Sequence, residues 1–325
     1  MDEIRGDRPD PTAALDPPDP SGPSGPPGLP TSAALELPDV LDLLADRLSG
    51  SELTTLLLEA SRRRALRMTP AEVMRRYRAD RFVAAGLPAR ELRRAEDRLI
   101  AALPPSAELV ALAPLVPLGT HSAVATVDPR KVVATVRGTE VAADPTNALA
   151  LEAAVRRGRL LAASPHDATR VSLAAGQRVV RAQFYGAKAG LSAHFHLFGF
   201  VTSGRDVGGR GFERAALTEH FRFAAHALPG GAEIRVTVLD ESYRDVLESV
   251  SEALTDAHVT VLEDPTRTSG RGYYTGLCFK VHTEAGEVGD GGFTDWTASL
   301  LGNRKERLLI SGYGVERLVC EDGGP

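Results

Sequence analysis

The spacing of apolar residues divides the chain into three parts. Residues 1–33 contain almost no apolar side chains able to form a core and are rich in proline, which predicts a disordered tail. From 34 to 88 the apolar residues recur every three or four positions, which predicts a helical region. From 89 to 325 strand-like apolar runs alternate with helical segments, which predicts one larger domain.

Capping boxes mark two helix starts in the 34–88 region, at Ser49–Glu52 and at Thr69–Glu72. In such a box a hydroxyl and a carboxylate satisfy free amides of the first helical turn. Many arginines follow on these helices, which predicts either an RNA-contacting face or a solvated basic face: Arg62, Arg63, Arg64, Arg67, Arg75, Arg76, Arg78 and Arg81. The solvated face is favoured, because aromatic residues do not alternate with the arginines as base stacking requires.

The larger domain is predicted to be an α+β fold, an antiparallel sheet flanked by helices, because short turns join many neighbouring strands. The predicted strands are Glu108–Leu112, Lys131–Arg137, Arg170–Leu173, Arg178–Phe184, Phe195–Thr202, Glu233–Leu239, His258–Leu262, Gly276–His282 and Arg307–Ser311. The predicted helices are Asn147–Ala163, Phe212–Ala227 and Tyr243–Ala257.

Composition narrows the class of protein. The net charge of −5 argues against a protein that mainly coats nucleic acid. No apolar run approaches the roughly 20 residues of a membrane span, and the acidic, proline-rich start is unlike a signal peptide. We therefore expect a cytoplasmic protein without a membrane partner. Cys278 and Cys320 lie in apolar runs without metal-site spacing, so buried, reduced thiols are expected.

Glycine-punctuated segments in the last quarter of the chain carry the candidate chemistry. They are Gly272-Tyr273-Tyr274-Thr275-Gly276, then Gly291-Gly292-Phe293-Thr294-Asp295, then Gly312-Tyr313-Gly314-Val315-Glu316-Arg317-Leu318. In this order the segments resemble the C-terminal half of the catalytic domain of histidyl-tRNA synthetase, a class II aminoacyl-tRNA synthetase. Upstream, Asp144-Pro145-Thr146 and Arg181 match further parts of the same pattern.

The resemblance implies a class II synthetase-like domain over 89–325 that activates a carboxylate with ATP and Mg²⁺, as a homodimer. It implies catalytic roles for Arg181 and Arg317. Nucleotide contacts are implied for Arg181, Gly312, Gly314, Glu316 and Arg317, and substrate contacts for Asp144, Thr146, Tyr274, Gly291 and Gly292. From the residues alone, Asp144-Pro145-Thr146 is equally a simple helix start.

Several family positions carry other residues here. Val201 stands where the family has the glutamate that recognises histidine, and Leu197 stands where it has a glutamine. Ser269 stands at the position of the catalytic arginine, with Arg267 and Arg271 as the nearest replacements. An apolar side chain cannot accept a proton from imidazole, so histidine recognition is not expected. Too few residues follow Arg317 for an anticodon-binding domain, which argues against tRNA as a partner.

Two functions remain open. The first, slightly favoured, is a paralogue that adenylates an amino acid or another small carboxylate for an unknown acceptor. The alternative is a non-catalytic, ligand-binding protein like the regulatory subunit of ATP phosphoribosyltransferase, which shares the fold. His194 and His196 share one strand face, as a metal pair or, the favoured interpretation, as histidines that line a pocket or a core, and no metal site is predicted.

Overall fold

The computed structural model describes residues 37–80, 82–83, 89–182, 193–228, 230–284 and 286–321. Its α-helices are α1 (Leu37–Asp42), α2 (Gly50–Ala65), α3 (Pro70–Ala79), α4 (Ala89–Ala102), α5 (Pro145–Ala163), α6 (Gly211–Ala227), α7 (Arg244–Glu252), α8 (Trp296–Leu301) and α9 (Val315–Glu321). Its strands are β1 (Ala107–Leu109), β2 (Leu115–Pro117), β3 (Thr139–Val141), β4 (Val171–Val180), β5 (His194–Arg205), β6 (Ala232–Val238), β7 (Val259–Glu263), β8 (Thr275–Thr283), β9 (Gly286–Thr294) and β10 (Glu306–Gly314).

Eight of these strands form one mostly antiparallel sheet, in the order β1-β4-β5-β10-β9-β8-β6-β7. The pairs β1–β4 and β6–β7 are parallel, and β2 and β3 form a separate two-stranded sheet. Helices lie on both faces of the large sheet, which confirms the predicted α+β fold. The glycine-rich strands β9 and β10 lie next to each other in its centre.

Successive side chains along a strand point to opposite faces of the sheet, so they pack into two different cores. Phe198 and Phe200 of β5 pack with α6 on one face. Val201 of β5 and Ile310 of β10 pack with Leu149 of α5 on the other face. We call this second side, against which α5 packs, the α5 face of the sheet.

One strand prediction was wrong, and two others proved to be parts of one strand. Lys131–Arg137 is not a continuous strand. A 3-10 turn runs from Pro129 to Lys131, Ala134 makes one isolated antiparallel bridge to Glu140, and Gly138 turns the chain at φ +66°. The separately predicted strands Arg170–Leu173 and Arg178–Phe184 belong to the single strand β4, whose intervening residues are largely buried. The last two residues of the second prediction lie outside the described residues.

The other predictions end close to the observed elements, with one exception. The helix predicted over Tyr243–Ala257 stops at Glu252 and begins after a 3-10 turn that Asp240 caps. The tail predicted at 1–33 lies outside the described residues, so the division into three parts stays a prediction. Cys278 is a buried free thiol.

The helices α2 and α3 bury none of their residues. The Ser49 capping box is formed on both sides, and Thr69 accepts the amide of Glu72. Several of the arginines sit in ion pairs on the helix surface: Arg62 and Arg63 with Glu59, and Arg75 and Arg76 with Glu72. Among the described residues, no helix combines the length and the apolar character needed to cross a bilayer.

Candidate functional site

The first cluster of candidate residues forms where α5 begins. Asp144 is the N-cap of α5, and its Oδ1 accepts the amide of Thr146 at 2.9 Å and the hydroxyl of Thr146 at 2.7 Å. Thr146 is buried, and Pro145 occupies the first helical position, where no N–H is needed. Asp144 therefore does start a helix, but this role uses only one of its two carboxylate oxygens.

Arg181 reaches the same carboxylate from the end of β4. Its backbone N–H donates to Ala193, so residue 181 continues the pairing with β5 and its side chain lies on the α5 face. The guanidinium donates from Nε to the carbonyl of Ala143 at 3.1 Å and from Nη2 to Oδ2 of Asp144 at 3.3 Å. Its carbon lies 5.1 Å from the ring centre of Phe195. The structure thus brings together three predicted site residues, Arg181, Asp144 and Thr146.

A second cluster forms around Asp290 of β9. Oδ2 of Asp290 accepts the hydroxyl of Tyr274 at 3.0 Å and lies 3.5 Å from Nη2 of Arg267. Burial raises the pKa of Asp290 to about 6, the nearby Glu287 pushes it the same way, and the Arg267 guanidinium and the Tyr274 hydrogen bond oppose the shift. A buried carboxylate with so high a pKa is a marker of functional sites.

The resemblance of the sequence motifs indicated Tyr274 of this cluster but not Asp290. The available signal was a single acid inside the otherwise apolar and glycine run Val288–Phe293. At the family's arginine position, Ser269 instead accepts Nε of Arg267, through its carbonyl and its hydroxyl, both at 3.2 Å. Arg267 is buried and enters the cluster, whereas Arg271 is exposed.

Tyr273 connects the two clusters. Burial raises the pKa of its hydroxyl well above the ordinary value, and the carboxylates of Asp144 and then Asp290 add to the shift. The Arg181 guanidinium acts in the opposite direction. The Tyr273 ring also packs edge-on against Tyr274 of the second cluster, with 4.7 Å between the ring centres, so Tyr273 lies between the two clusters on the α5 face.

The four candidate glycines have different surroundings. A Cβ on Gly291 would meet the carbonyl of Ile310 and the ring of Phe279, which belongs to the core on the far side from α5. A Cβ on Gly292 would lie 2.6 Å from Cδ1 of Tyr274, and one on Gly314 would lie 3.2 Å from Cδ of Arg317. A Cβ on Gly312 would meet nothing within 4 Å, so open space lies over this residue, which is directly opposite Asp290.

Arg317 and Glu316 are already engaged within the protein. Nη1 of Arg317 donates to the carbonyl of Glu287 at 2.6 Å and lies 3.9 Å from its carboxylate. Both oxygens of Glu316 accept the backbone N–H of His196 at 2.8 Å, and one lies 3.4 Å from Arg178. Glu316 is a single carboxylate that already pairs with a guanidinium, and Mg²⁺ requires near-octahedral oxygen coordination, so this residue alone does not make a Mg²⁺ site.

The histidine pair of β5 is also accounted for by protein contacts. Nδ1 of His194 accepts Nε of Arg178 at 2.8 Å, and Nε2 of His196 lies 3.1 Å from Glu96. Within the part of the chain that the structure describes, no three His, Cys, Asp or Glu side chains are grouped so that they could hold a metal ion.

The fold of the described chain, in which β9 with Asp290 pairs with β10, the strand that ends at Gly314, matches solved structures of known proteins. The fold is that of a class II aminoacyl-tRNA synthetase catalytic domain. A structure titled as an ATP phosphoribosyltransferase regulatory subunit/histidyl-tRNA synthetase from Bacillus halodurans C matches with a TM-score of 0.52 and 14% identity, over 73% of this chain and 80% of that one.

Two further class II structures match equally well. The histidine–tRNA ligase subunit of Alicyclobacillus acidocaldarius has a TM-score of 0.52 and 16% identity over 74% of this chain and 96% of its own. Apo histidyl-tRNA synthetase of S. aureus has a TM-score of 0.52 and 15% identity over 74% of this chain and 70% of its own. No family model and no curated protein matches the sequence. At these identities the likeness establishes the class II fold alone.

Proposed function

We propose that this protein binds an amino acid, or a related compound with an ammonium and a carboxylate group, on the α5 face and acts as a ligand-binding protein. The observation that carries the proposal is the contact of Arg181 with Asp144, next to the buried hydroxyl of Thr146. An acid and an arginine side by side suit a ligand that itself carries both charges, because the arginine fork matches a carboxylate and the acid matches an ammonium.

The hydrogen-bonding capacity of Asp144 supports this ligand. A carboxylate offers about four lone-pair sites. Oδ1 uses two of them on Thr146, and Oδ2 uses one on Arg181, so the count leaves room for one ligand N–H. The pair itself is partly exposed, at 17% for Arg181 and 25% for Asp144, so a ligand that separates the two side chains gives up little stability.

Binding is favoured over activation by the state of the nucleotide side. Glu316 and Arg317, two of the residues that the resemblance assigns to ATP, hold His196 and Glu287 instead. Ligand binding requires no change in these contacts, whereas phosphate and Mg²⁺ would have to compete for them. The likeness to a structure named as a regulatory subunit or a synthetase is compatible with both functions.

ATP-dependent activation of the bound carboxylate is the second candidate. Open space over Gly312 and the position of Arg181 beside Phe195 favour it, because a flat base and a phosphate would need such features. Amino-acid-dependent exchange of pyrophosphate into ATP distinguishes the two candidates. Exchange with any carboxylate supports activation, and ligand binding without exchange supports the ligand-binding function.

The test of binding is a thermal-shift screen of the standard L-amino acids, followed by calorimetry on those that stabilise the protein. Asp144→Asn removes the charge but keeps an oxygen for the helix start. It should weaken binding about 10- to 100-fold, the value of a hydrogen bond to a charged group. Asp128→Asn is the matched control, because Asp128 also caps a turn and pairs with an arginine, Arg130, at an exposed site.

Two results would contradict the proposal. One is a wild-type protein that none of the amino acids stabilises. The other is equal binding by the Asp144 and Asp128 variants, which would place the ligand elsewhere.

A further inference from the structure

His121 is a buried side chain behind the first cluster that sequence comparison did not find. It lies in the turn Thr120–Val124, between β2 and β3, and is fully buried. Its ring contacts both the residue before Asp144 and a residue in the first turn of α5. Nδ1 lies 2.6 Å from Oδ1 of Asn147, and Nε2 lies 3.0 Å from the backbone nitrogen of Ala143.

These two contacts determine the protonation state of the ring. The backbone N–H of Ala143 can only donate, so Nε2 must accept and carries no proton. The single ring proton is then on Nδ1, which donates to Oδ1 of Asn147. With these two hydrogen bonds the imidazole is neutral: Nε2 is the acceptor and Nδ1 is the donor.

The backbone of Ala143 is held on both sides of its Cα. Its N–H donates to His121, and its carbonyl, which belongs to the peptide that leads into Asp144, accepts Nε of Arg181. The position of Asp144 therefore depends on how the Ala143 backbone is held. The turn that carries His121 is itself anchored, because Glu140 accepts the N–H of His121 at 2.8 Å and that of Gly119 at 3.1 Å. Gly119 has a φ of +88°, which favours glycine.

We propose that His121 is a positioning residue that fixes Ala143, and through it Asp144 and Arg181, for the ammonium group of the ligand. The inference rests on the proposed binding of an amino acid. His121 does not contact the ligand in this scheme, and it acts through the backbone of Ala143. Without an acceptor at Nε2, the buried N–H of Ala143 would lose its partner, and the chain between β3 and α5 would turn to find another.

Two substitutions separate the roles of the two ring nitrogens. His121→Gln places an amide oxygen near the position of Nε2 and so keeps an acceptor for Ala143. His121→Asn places a donor near the position of Nδ1 and keeps only the contact with Asn147. Both remove the ring, and Asn leaves one methylene more of empty space than Gln, so the free energy of unfolding of each variant is measured beside its affinity. His226→Asn at an exposed site controls for loss of a histidine.

The measurement is the affinity for the amino acid that stabilises the wild type, compared with its desamino analogue, which keeps the carboxylate. Wild type, the Gln variant and the His226 variant should prefer the amine-bearing ligand. The Asn variant should bind it at least about tenfold more weakly and lose the preference, since one displaced charged hydrogen bond has that value. An unchanged preference in the Asn variant, or its equal loss in both His121 variants, overturns the proposal.

A second readout keeps this test separate from the test of ligand binding. Hydrogen exchange at the Ala143 amide should be slow in wild type and the Gln variant and faster in the Asn variant. If no amino acid binds the wild type, the proposed function fails and the exchange result alone judges His121. Equal exchange in the two His121 variants then overturns the positioning role.

Discussion

Two glycines of the central strands should respond in opposite ways to the same added methyl group. Gly291 and Gly312 both match the synthetase pattern, and both lie in the paired strands β9 and β10. A Cβ on Gly291 would collide with the carbonyl of Ile310 and lie 2.5 Å from Cζ of Phe279. A Cβ on Gly312 would meet nothing within 4 Å. Neither residue has a positive φ, so backbone strain does not separate them.

The magnitudes follow from these surroundings. Gly291→Ala overfills a packed core against a backbone atom that cannot move aside, which costs about 1–3 kcal/mol. Gly312→Ala adds a methyl group to open space and reduces the freedom of the unfolded chain, which stabilises by about 0.4–1 kcal/mol. The two variants should therefore differ by about 1.4–4 kcal/mol in the free energy of unfolding.

Urea unfolding followed by circular dichroism measures this difference, and the ligand affinity of each soluble variant completes the assay. Gly312→Ala should fold at least as stably as wild type while it fills space on the α5 face opposite Asp290, so its ligand affinity should change. If Gly312→Ala destabilises as much as Gly291→Ala, the space over Gly312 is not open, and the prediction is wrong.

Three further predictions concern buried charges. Asp290→Asn should remove a dependence of the unfolding free energy on pH. The folded-state pKa of about 6 lies above the ordinary 3.8, so wild-type stability falls as the pH rises from 3.8 to about 6. The difference in unfolding free energy between wild type and variant should fall over the same pH range. Tyr274→Phe removes a hydrogen bond that lowers this pKa, so the range should extend to higher pH in the same titration, and an unchanged range would refute the contact. Arg157→Met should cost about 3–5 kcal/mol in urea unfolding, because it removes the fully buried arginine 2.7 Å from Glu306 and leaves only Arg205, at 3.9 Å, beside that buried carboxylate. Adding Glu306→Leu should recover part of the loss, and no recovery would mean that Arg157 and Glu306 are not coupled.

The sequence predicted the fold to the extent that local patterns determine it. Alternation and turn residues located most strands, and the capping box located the start of α2 at Ser49. The interpretation failed at Lys131–Arg137, where an apolar run suggested a strand. A proline-started 3-10 turn takes up the first residue of this run, and the turn before the left-handed Gly138 takes up its last two. The extended part between them makes a single bridge, from Ala134 to Glu140, while Thr139–Val141 pairs with β2.

The candidate site was predictable only where a motif runs along the chain. Asp144 and Thr146 are neighbours in sequence, so their pairing was visible. His121 meets Asn147 across 26 positions, and that contact depends on how one turn folds over the start of α5. Asp290 was missed for a different reason. The resemblance was read from the glycines beside it, and the residues that contact Asp290 come from the β7–β8 connection, which is distant in sequence.

The two arginine-bearing helices α2 and α3 contribute no side chain to the hydrophobic interior. The interior holding β4, β5 and β10 is assembled without them, from residues that begin at Ala95. Trimming the chain back to the segment before α4 should therefore leave the synthetase-like body intact. A loss of function caused by such trimming would then be due to the exposed surface of the removed helices.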